Sequence, residues 1–462
     1  MAYPSPYKVG MSSLGYQWIA SLLSDEGFAV ERVFLPDDDR PPRTEESGTP
    51  LGRFPLIAFS LAYELELAGL IQLLQRAGIP PRRADRGPGH PKILLGGPLT
   101  FSNPLPATPF VDAMLCGEAE DTVSDAVGGF YDHGHLGRVG ELAGGWVPEM
   151  EERLPAVARA GDRRLPARAR LWSPDAELSN MFLIEGERGC HRACTFCVMR
   201  RGEPGSGMRL VTPETVLGWV PDDARKVGLV GAAISDHPQL AALLQALVDS
   251  GREVGVSSLR ADRIALKPEL SRLLRLGGYQ TLTVASDAAS QRLRRTLQKG
   301  TTEAHLLACA EAAREHRFRL LKVYMMVGLP DEGPEDIEEL ISFTGKLAAI
   351  HPVALGIAPF VPKRNTPMWH NRYAGIREVE ATLKKLQRGL RGTRAELRPT
   401  SARWAWVEAA LATGGAAAGE AVAQAVAAGG AYTDWRKALL AAGAREDAAG
   451  ERPGDAKHVA AG

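Results

Sequence analysis

Cys190, Cys194 and Cys197 stand in the run Glu187-Arg188-Gly189-Cys190-His191-Arg192-Ala193-Cys194-Thr195-Phe196-Cys197. The spacing is C-x3-C-x2-C, with an aromatic residue just before the third cysteine. Three thiolates on one short loop can hold three irons of a cubane cluster. Iron–sulfur clusters are normally held by four cysteines, so a triplet leaves the fourth iron open to another ligand. Two other chemistries remain open. Zinc would need a fourth ligand such as His191, but structural zinc sites usually add a second, distant cysteine pair, and none exists here. A disulfide would need an oxidising compartment, and the start Met1-Ala2-Tyr3-Pro4-Ser5 has no basic stretch followed by an apolar one, so no export signal is expected.

The remaining cysteines narrow the choice. Cys116 and Cys309 cannot build a second cluster with three or four cysteine ligands; both read as small buried apolar groups. The chain has 462 residues, 45% of them hydrophobic, and a formal net charge of +0. Two to three domains with a large core are expected. No overall field points to nucleic acid or to an anionic membrane. No apolar run of about 18 residues occurs, so no membrane-spanning helix is expected.

The elements that would position this loop come in two alternating series. Over residues 1–130, strands are expected at Tyr7–Gly10, Leu56–Ser60, Lys92–Gly96 and 113–116, with helices at 16–26 and 63–77; the first strand alternatively begins at Ala2. This alternation predicts a parallel, doubly wound, Rossmann-like α/β domain. Residues 131–178 break the pattern. They carry Arg153, Arg159, Arg163, Arg164, Arg168 and Arg170, with Pro155 and Pro166, and read as a surface linker with a solvated face. The second series covers residues 179–372, with strands at 182–185, 226–234, 253–257, Thr281–Ala285, Leu320–Val327 and Val353–Pro359. Thr212 is placed to cap a helix with Pro213 in its first turn. Pro238 opens another, and Pro334 precedes Glu335 and Asp336, acids that suit a first turn. Six βα units predict a partial (β/α)6 barrel, smaller than the eight-unit form. Ligands bind at the carboxyl ends of such strands, and the cysteine loop follows the first of them. Residues 373–442 read as helical, anchored to the barrel by Trp404, Trp406 and Trp435; residues 443–462 read as a disordered tail.

The cysteine loop and the strand ends together resemble the radical S-adenosylmethionine superfamily over residues 180–370. The likeness continues through Val198-Met199-Arg200-Arg201 and Gly207-Met208-Arg209. In that family the open iron of a [4Fe–4S] cluster chelates the methionine end of S-adenosylmethionine, and electron transfer yields a 5′-deoxyadenosyl radical. The resemblance implies cofactor contacts from Gly231 in Gly231-Ala232-Ala233, where the family often has Gly-Gly-Glu, and from Ser258 and Arg260 after the third strand. It implies further contacts from Ser286, Asp287 and Ser290 after the fourth strand, and from Gly328 in Gly328-Leu329-Pro330 after the fifth. Pro359-Phe360-Val361-Pro362-Lys363 closes the sixth strand, beside adenine. Simple strand packing would equally explain Gly231, and a surface salt bridge would explain Arg260.

The first domain resembles a cobalamin-binding domain. Such domains carry Asp-x-His-x-x-Gly, whose histidine ligates cobalt. Here the run is Gly10-Met11-Ser12-Ser13-Leu14-Gly15, so Ser12 replaces the histidine while Gly15 is kept. Ser60, Gly96 and Gly97 match later small-residue positions where a nucleotide tail would slide. Either cobalamin binds without a histidine, or the domain docks a substrate or partner.

Three functions follow. The first is a radical enzyme using a [4Fe–4S] cluster, S-adenosylmethionine and cobalamin, with methyl transfer to an unactivated carbon or another radical rearrangement as the expected reaction. The second is a cobalamin-independent radical enzyme acting on RNA, a peptide or a metabolite. The third is a non-catalytic iron–sulfur sensor, against which the barrel-end motifs count. Only five cysteines occur, which fits a reducing cytoplasm, and the resemblance implies a low-potential donor such as flavodoxin or ferredoxin. The catalytic residues and the substrate are not legible.

Overall fold

A computed structural model describes residues 1–150, 153–200, 207–257 and 259–446. Its first sheet contains β1 (Ala2–Tyr3), β2 (Val33–Phe34), β3 (Leu56–Ser60), β4 (Lys92–Gly96), β5 (Ala113–Leu115) and β6 (Gly145–Trp146). The order is β2-β1-β3-β4-β5-β6, parallel except for the last pair. The order 2-1-3-4-5 is found in doubly wound sheets. Helices lie on both faces because successive strand residues point to opposite sides. On one side Leu94, Ala113 and Leu115 pack with Leu23 of α2 (Leu14–Asp25) and with Val127 and Phe130 of α4 (Val123–His133). On the other, Phe59, Ile93 and Leu95 pack with Leu70 and Leu74 of α3 (Glu66–Arg76).

The strand expected at Tyr7–Gly10 is instead one helical turn, α1, and the first strand lies upstream at Ala2–Tyr3. Pro4 and Pro6 cannot donate to a strand ladder, which ends β1, and Pro6 stands just before α1. In the basic segment 131–178, Arg153, Arg159, Arg163 and Arg170 are exposed, whereas Arg164 and Arg168 are half-buried. Gly145–Trp146 adds a strand to the sheet, and Arg163 and Arg164 both pair with Asp121. The Arg168 guanidinium lies 3.5 Å from the Trp219 ring centre and 5.0 Å from that of Trp18. Two indole faces recruit this cation because each carries negative charge on its face.

The second strand system runs in chain order. It comprises β7 (Met181–Glu185), β10 (Lys226–Val230) and β11 (Glu253–Val256), then β12 (Leu259–Arg260), β13 (Thr281–Ala285), β14 (Leu320–Val327), β15 (Val353–Pro359) and β16 (Ala395–Pro399). Paired neighbours within β7-β10-β11 and within β12-β13-β14-β15-β16 are all parallel. A small antiparallel pair, β8 (Glu187–Arg188) and β9 (Arg209–Leu210), closes the neck of the cysteine loop. The intervening helices are α5 (Pro213–Trp219), α6 (Leu240–Asp249), α7 (Ala261–Leu266), α8 (Glu269–Leu276), α9 (Gln291–Thr296), α10 (Glu303–Glu315) and α11 (Pro334–Ile350). Thr212 caps α5 by accepting the Thr215 N–H. The helix expected to open at Pro238 starts at Leu240.

β16 corrects the expectation of six strands and a wholly helical end. Its residues are mostly exposed or half-buried, so the sequence lacks the apolar run that marked its neighbours. The rest of the end is helical: α12 (Ile376–Gly389), α13 (Ala402–Thr413), α14 (Ala416–Ala427) and α15 (Tyr432–Ala441). This bundle ties back to the first domain. Asn103 Nδ2 donates to the carbonyls of Leu411 and Gly414 at 3.0 and 2.7 Å, and Arg82 pairs with Glu420 at 2.8 Å. Trp406 and Trp435 are buried, while Trp404 stays 37% exposed. The tail expected from 443 lies mostly outside the described residues. Among the described residues, no helix is long and apolar enough to cross a membrane.

Candidate functional site

The cysteine loop leaves β8 through Gly189, whose φ of +82° is left-handed. A Cβ there would overlap the Gly207 carbonyl across the loop's neck, so only glycine closes it. Cys194 is buried and Cys190 and Cys197 half-buried. The Cys197 N–H donates to the Cys194 carbonyl at 3.3 Å, and the Arg192 N–H reaches Cys190 Sγ at 3.4 Å. Burial, then the neighbouring sulfurs, push the Cys197 thiol up; Cys190 is raised chiefly by burial. Among the described residues, no three His, Cys, Asp or Glu side chains converge on one metal ion. Zinc would need such convergence, with sulfurs about 2.3 Å from a single ion. A cubane takes each cysteine on a different iron and suits a wider set. The donor chemistry therefore fits a cluster with three protein ligands. Cys116 and Cys309 are buried elsewhere, and burial pushes the Cys116 thiol up to about 12.

Charged pairs fasten the loop on two sides. Arg192, between the first two cysteines, forks onto Asp236 with contacts of 2.8 and 2.6 Å. Arg263 binds the same carboxylate. Burial alone would raise Asp236, but the hydrogen bonds from Arg192 and Arg263 outweigh it and hold the carboxyl at about 2. On the other side, Arg188 meets Glu185 and Glu120 at 2.6 Å each and Glu118 at 3.4 Å. Arg209, where the loop returns, also pairs with Glu118. Thus both strands of the neck bind one acid of the first domain.

The structure distributes the expected S-adenosylmethionine contacts unevenly. Gly231 follows β10, beside Glu187; a Cβ there would overlap that carboxylate. Ser258 lies outside the described residues. Arg260 is buried, with Nε 2.9 Å from Asp262 and Nη2 donating to the Lys299 carbonyl at 2.7 Å, so it is engaged internally. Ser286 is buried and donates to the Ala288 carbonyl at 3.1 Å. Asp287 follows it with a left-handed φ of 63°, its carboxylate ion-paired with Lys299. Ser290 is a helix cap: it is fully buried, accepts the Leu293 N–H and donates to Asp336. Gly328 has φ +73° and its N–H donates to Glu332 at 2.8 Å.

Sequence reasoning passed over Glu187. It is fully buried; one oxygen accepts from Ala233 N–H and the other has no hydrogen-bond partner. Burial pushes its carboxyl up to about 7, against that hydrogen bond. The folded state therefore holds this proton more tightly than the unfolded chain. The cost is absent below the unfolded value of about 4.5 and complete above about 7, reaching about 3 kcal/mol. Glu187→Gln should shift the unfolding temperature more favourably at pH 8 than at pH 5. An equal shift at both would refute the burial argument.

Four of the expected cobalamin-side residues share one cavity. Gly15, Ser60, Gly96 and Gly97 line a space of about 270 Å3 between the two domains. Leu94, Leu95, Phe101 and Leu115 make its walls apolar, and its far side carries Glu118, Glu120, Glu185, Arg188 and Met199. Ser12 lies apart: its hydroxyl donates to the Lys8 carbonyl and accepts from Leu178 N–H. Among the described residues, no histidine lines this cavity.

Two family models match the chain. Residues 15–137 match "Radical SAM proteins, N-terminal", and residues 184–344 match "Radical SAM superfamily". An uncharacterised protein of Methanocaldococcus jannaschii is 28% identical over 401 residues, covering 83% of this chain and 82% of that one. The ribosomal protein uS12 methylthiotransferase RimO of Desulfosudis oleivorans is 29% identical over 178 residues, or 35% of this chain and 40% of that one. The cobalamin-dependent S-adenosylmethionine radical enzyme OxsB superposes with a TM-score of 0.53 at 13% identity. The superposition covers 86% of this chain and 62% of OxsB, under two thirds of its length, and shows a likeness of fold.

Proposed function

We propose that this chain, a radical S-adenosylmethionine superfamily enzyme by its domain over residues 184–344, holds a [4Fe–4S] cluster on Cys190, Cys194 and Cys197 and a cobalamin in its first domain, and transfers a methyl group to an unactivated carbon. Cys190, Cys194 and Cys197 would hold the cluster, which when bound would supply the electron for cleaving the carbon–sulfur bond of S-adenosylmethionine. The chain's own residues hold, orient and shield. Asp236 fixes Arg192 within the loop, and Lys299 fixes the Asp287 carboxylate at the end of β13. The first sheet reads as a Rossmann-like cofactor domain and the sequential parallel strands as a partial barrel. The demand for a low-potential electron suits a flavodoxin or ferredoxin donor in the cytoplasm.

One observation carries the cobalamin half. The small residues Gly15, Ser60, Gly96 and Gly97 line the same cavity as Arg188 and Met199, each two residues outside the cysteine triplet. A ligand there would touch both ends of the cluster loop. Ser12 stands where such domains place their cobalt-ligating histidine, so we expect cobalamin to bind without that ligand.

A second reading, a docking domain without cobalamin, is favoured by Gly97. Its φ of +99° and its close approach to the Leu61 backbone require glycine whatever the cavity holds. The test therefore uses Gly15, where an added Cβ meets nothing within 4 Å. Wild-type protein reconstituted with hydroxocobalamin and desalted should keep corrin absorbance. Gly15→Phe should lose it while iron content and unfolding temperature stay unchanged. Wild-type protein that is folded and cluster-loaded yet keeps no corrin would establish the docking reading.

A further inference from the structure

We propose that a cavity of about 500 Å3 in the helical end of the chain binds a nucleotide, with its phosphate on Arg445 and its base on Trp369. The inference goes beyond the radical reading above and depends on no cluster.

Place and build are the first argument. The loop 369–373 forms one wall of the cavity, and Trp406 and Ala410 of α13 form another. The start of α14 and the chain after α15 complete it. Pro362 is the one lining residue shared with the run expected beside adenine. The walls are pinned by hydrogen bonds. The Tyr373 hydroxyl donates to the Ala402 carbonyl at 2.7 Å, and Trp406 Nε1 donates to the Arg445 carbonyl at 2.8 Å. The volume is typical of a small-molecule site.

The charges argue for an anion. Arg372, Arg445 and His370 line the cavity, and among the described residues no Asp or Glu does. Nearby acids are committed to other partners, Glu446 to Arg436 and Glu420 to Arg82. The Arg445 guanidinium has no ion pair among the described residues. Gly415 and Ala417 bring the start of α14 to the same space. No side chain caps that helix, and its first turn holds no acid. Its free N–H groups and its dipole add to the attraction of the arginine for a phosphate.

The aromatic wall argues for a flat ring beside the anion. Trp369 is 41% exposed, and its ring centre lies 3.8 Å from that of His370. A half-open indole next to basic groups suits a nucleobase, because stacking on an aromatic face tolerates any base. A small carboxylate would use the cations and leave this surface uncovered.

Uridine 5′-monophosphate, uridine and inorganic phosphate are the probes, and equilibrium dialysis against the full chain measures their binding. A pyrimidine keeps the probe distinct from the adenine of S-adenosylmethionine, an excess of which should not displace it. The monophosphate should bind roughly tenfold more tightly than either uridine or phosphate. Arg445→Gln should remove most of the preference over uridine, and Trp369→Ala most of the preference over phosphate. Ala417→Glu puts an acid in the first turn of α14, which suits the helix dipole and so favours folding. It should weaken the monophosphate at least roughly tenfold and leave uridine unchanged. Absent binding, equal binding of monophosphate and uridine, or displacement by S-adenosylmethionine overturns the proposal. So does undiminished monophosphate binding in the folded Arg445→Gln and Ala417→Glu variants. Phosphate bound as tightly as the monophosphate overturns the assignment of a nucleotide.

Discussion

Replacing Cys190, Cys194 and Cys197 together with alanine is expected to reduce bound iron to background and to abolish 5′-deoxyadenosine release. Anaerobically reconstituted wild type should carry about four irons per chain, the content of one cubane cluster. It should release the nucleoside slowly with dithionite and S-adenosylmethionine, even without substrate. Each single replacement should also fail, because Cys116 and Cys309 are buried outside the loop and cannot substitute. Zinc in stoichiometric amount, with no iron taken up anaerobically, would revive the rival metal. Full iron retention in the triple variant would end the cluster assignment. A verified cluster that never yields nucleoside, with chemical and physiological reductants both tried, would leave the iron–sulfur sensor.

What the sequence revealed depended on whether the signal was contiguous. β3, β4, β13, β14 and β15 have the bounds expected, since each is an apolar or β-branched run. β1 and β2 have two residues each, too few for any period to show. β16 presents exposed residues and sits beyond the last apolar run. The same contrast governs the site. The cysteine triplet is read from eight consecutive positions, but its supports come from afar. Arg209 and Glu118 are 91 residues apart, and Lys363 and Glu64 are 299 apart. No local pattern predicts that such side chains meet. Ser290 shows how one residue carries two signals: a serine at a strand-to-helix junction resembles a ligand contact, and its side chain also caps the helix that follows. Ser12 and Gly15 stand three residues apart in one expected motif. Gly15 lies on the first turn of the helix starting at Leu14 and lines the cavity, whereas Ser12 precedes that helix and is held by Lys8 and Leu178.

Glu118→Ala is expected to destabilise the joint between the domains and loosen the cluster loop. Glu118 is 8% exposed and binds Arg209, Arg188 and the Ala160 N–H, the last at 2.9 Å. Arg188 would keep Glu120 and Glu185. Arg209 would keep only the Ala160 carbonyl and Asp162, whose side chain is 73% exposed. Removing one partner of a buried ion pair leaves the other charge uncompensated and costs about 3–5 kcal/mol. Chemical denaturation should register that loss in its earliest transition. Glu118→Gln should recover part of it by keeping an acceptor for Ala160, but not the charge that Arg209 needs. The loop adds a second readout. Arg188 and Arg209 are the two ends of its neck, so iron lost on gel filtration should rise in both variants although every cysteine remains. A variant that unfolds like the wild type and keeps its full iron would show that Glu118 merely lies beside the loop. Lost stability with undiminished iron would confine its role to the domain joint. Both losses together would mean that the first domain helps hold the cluster loop in place.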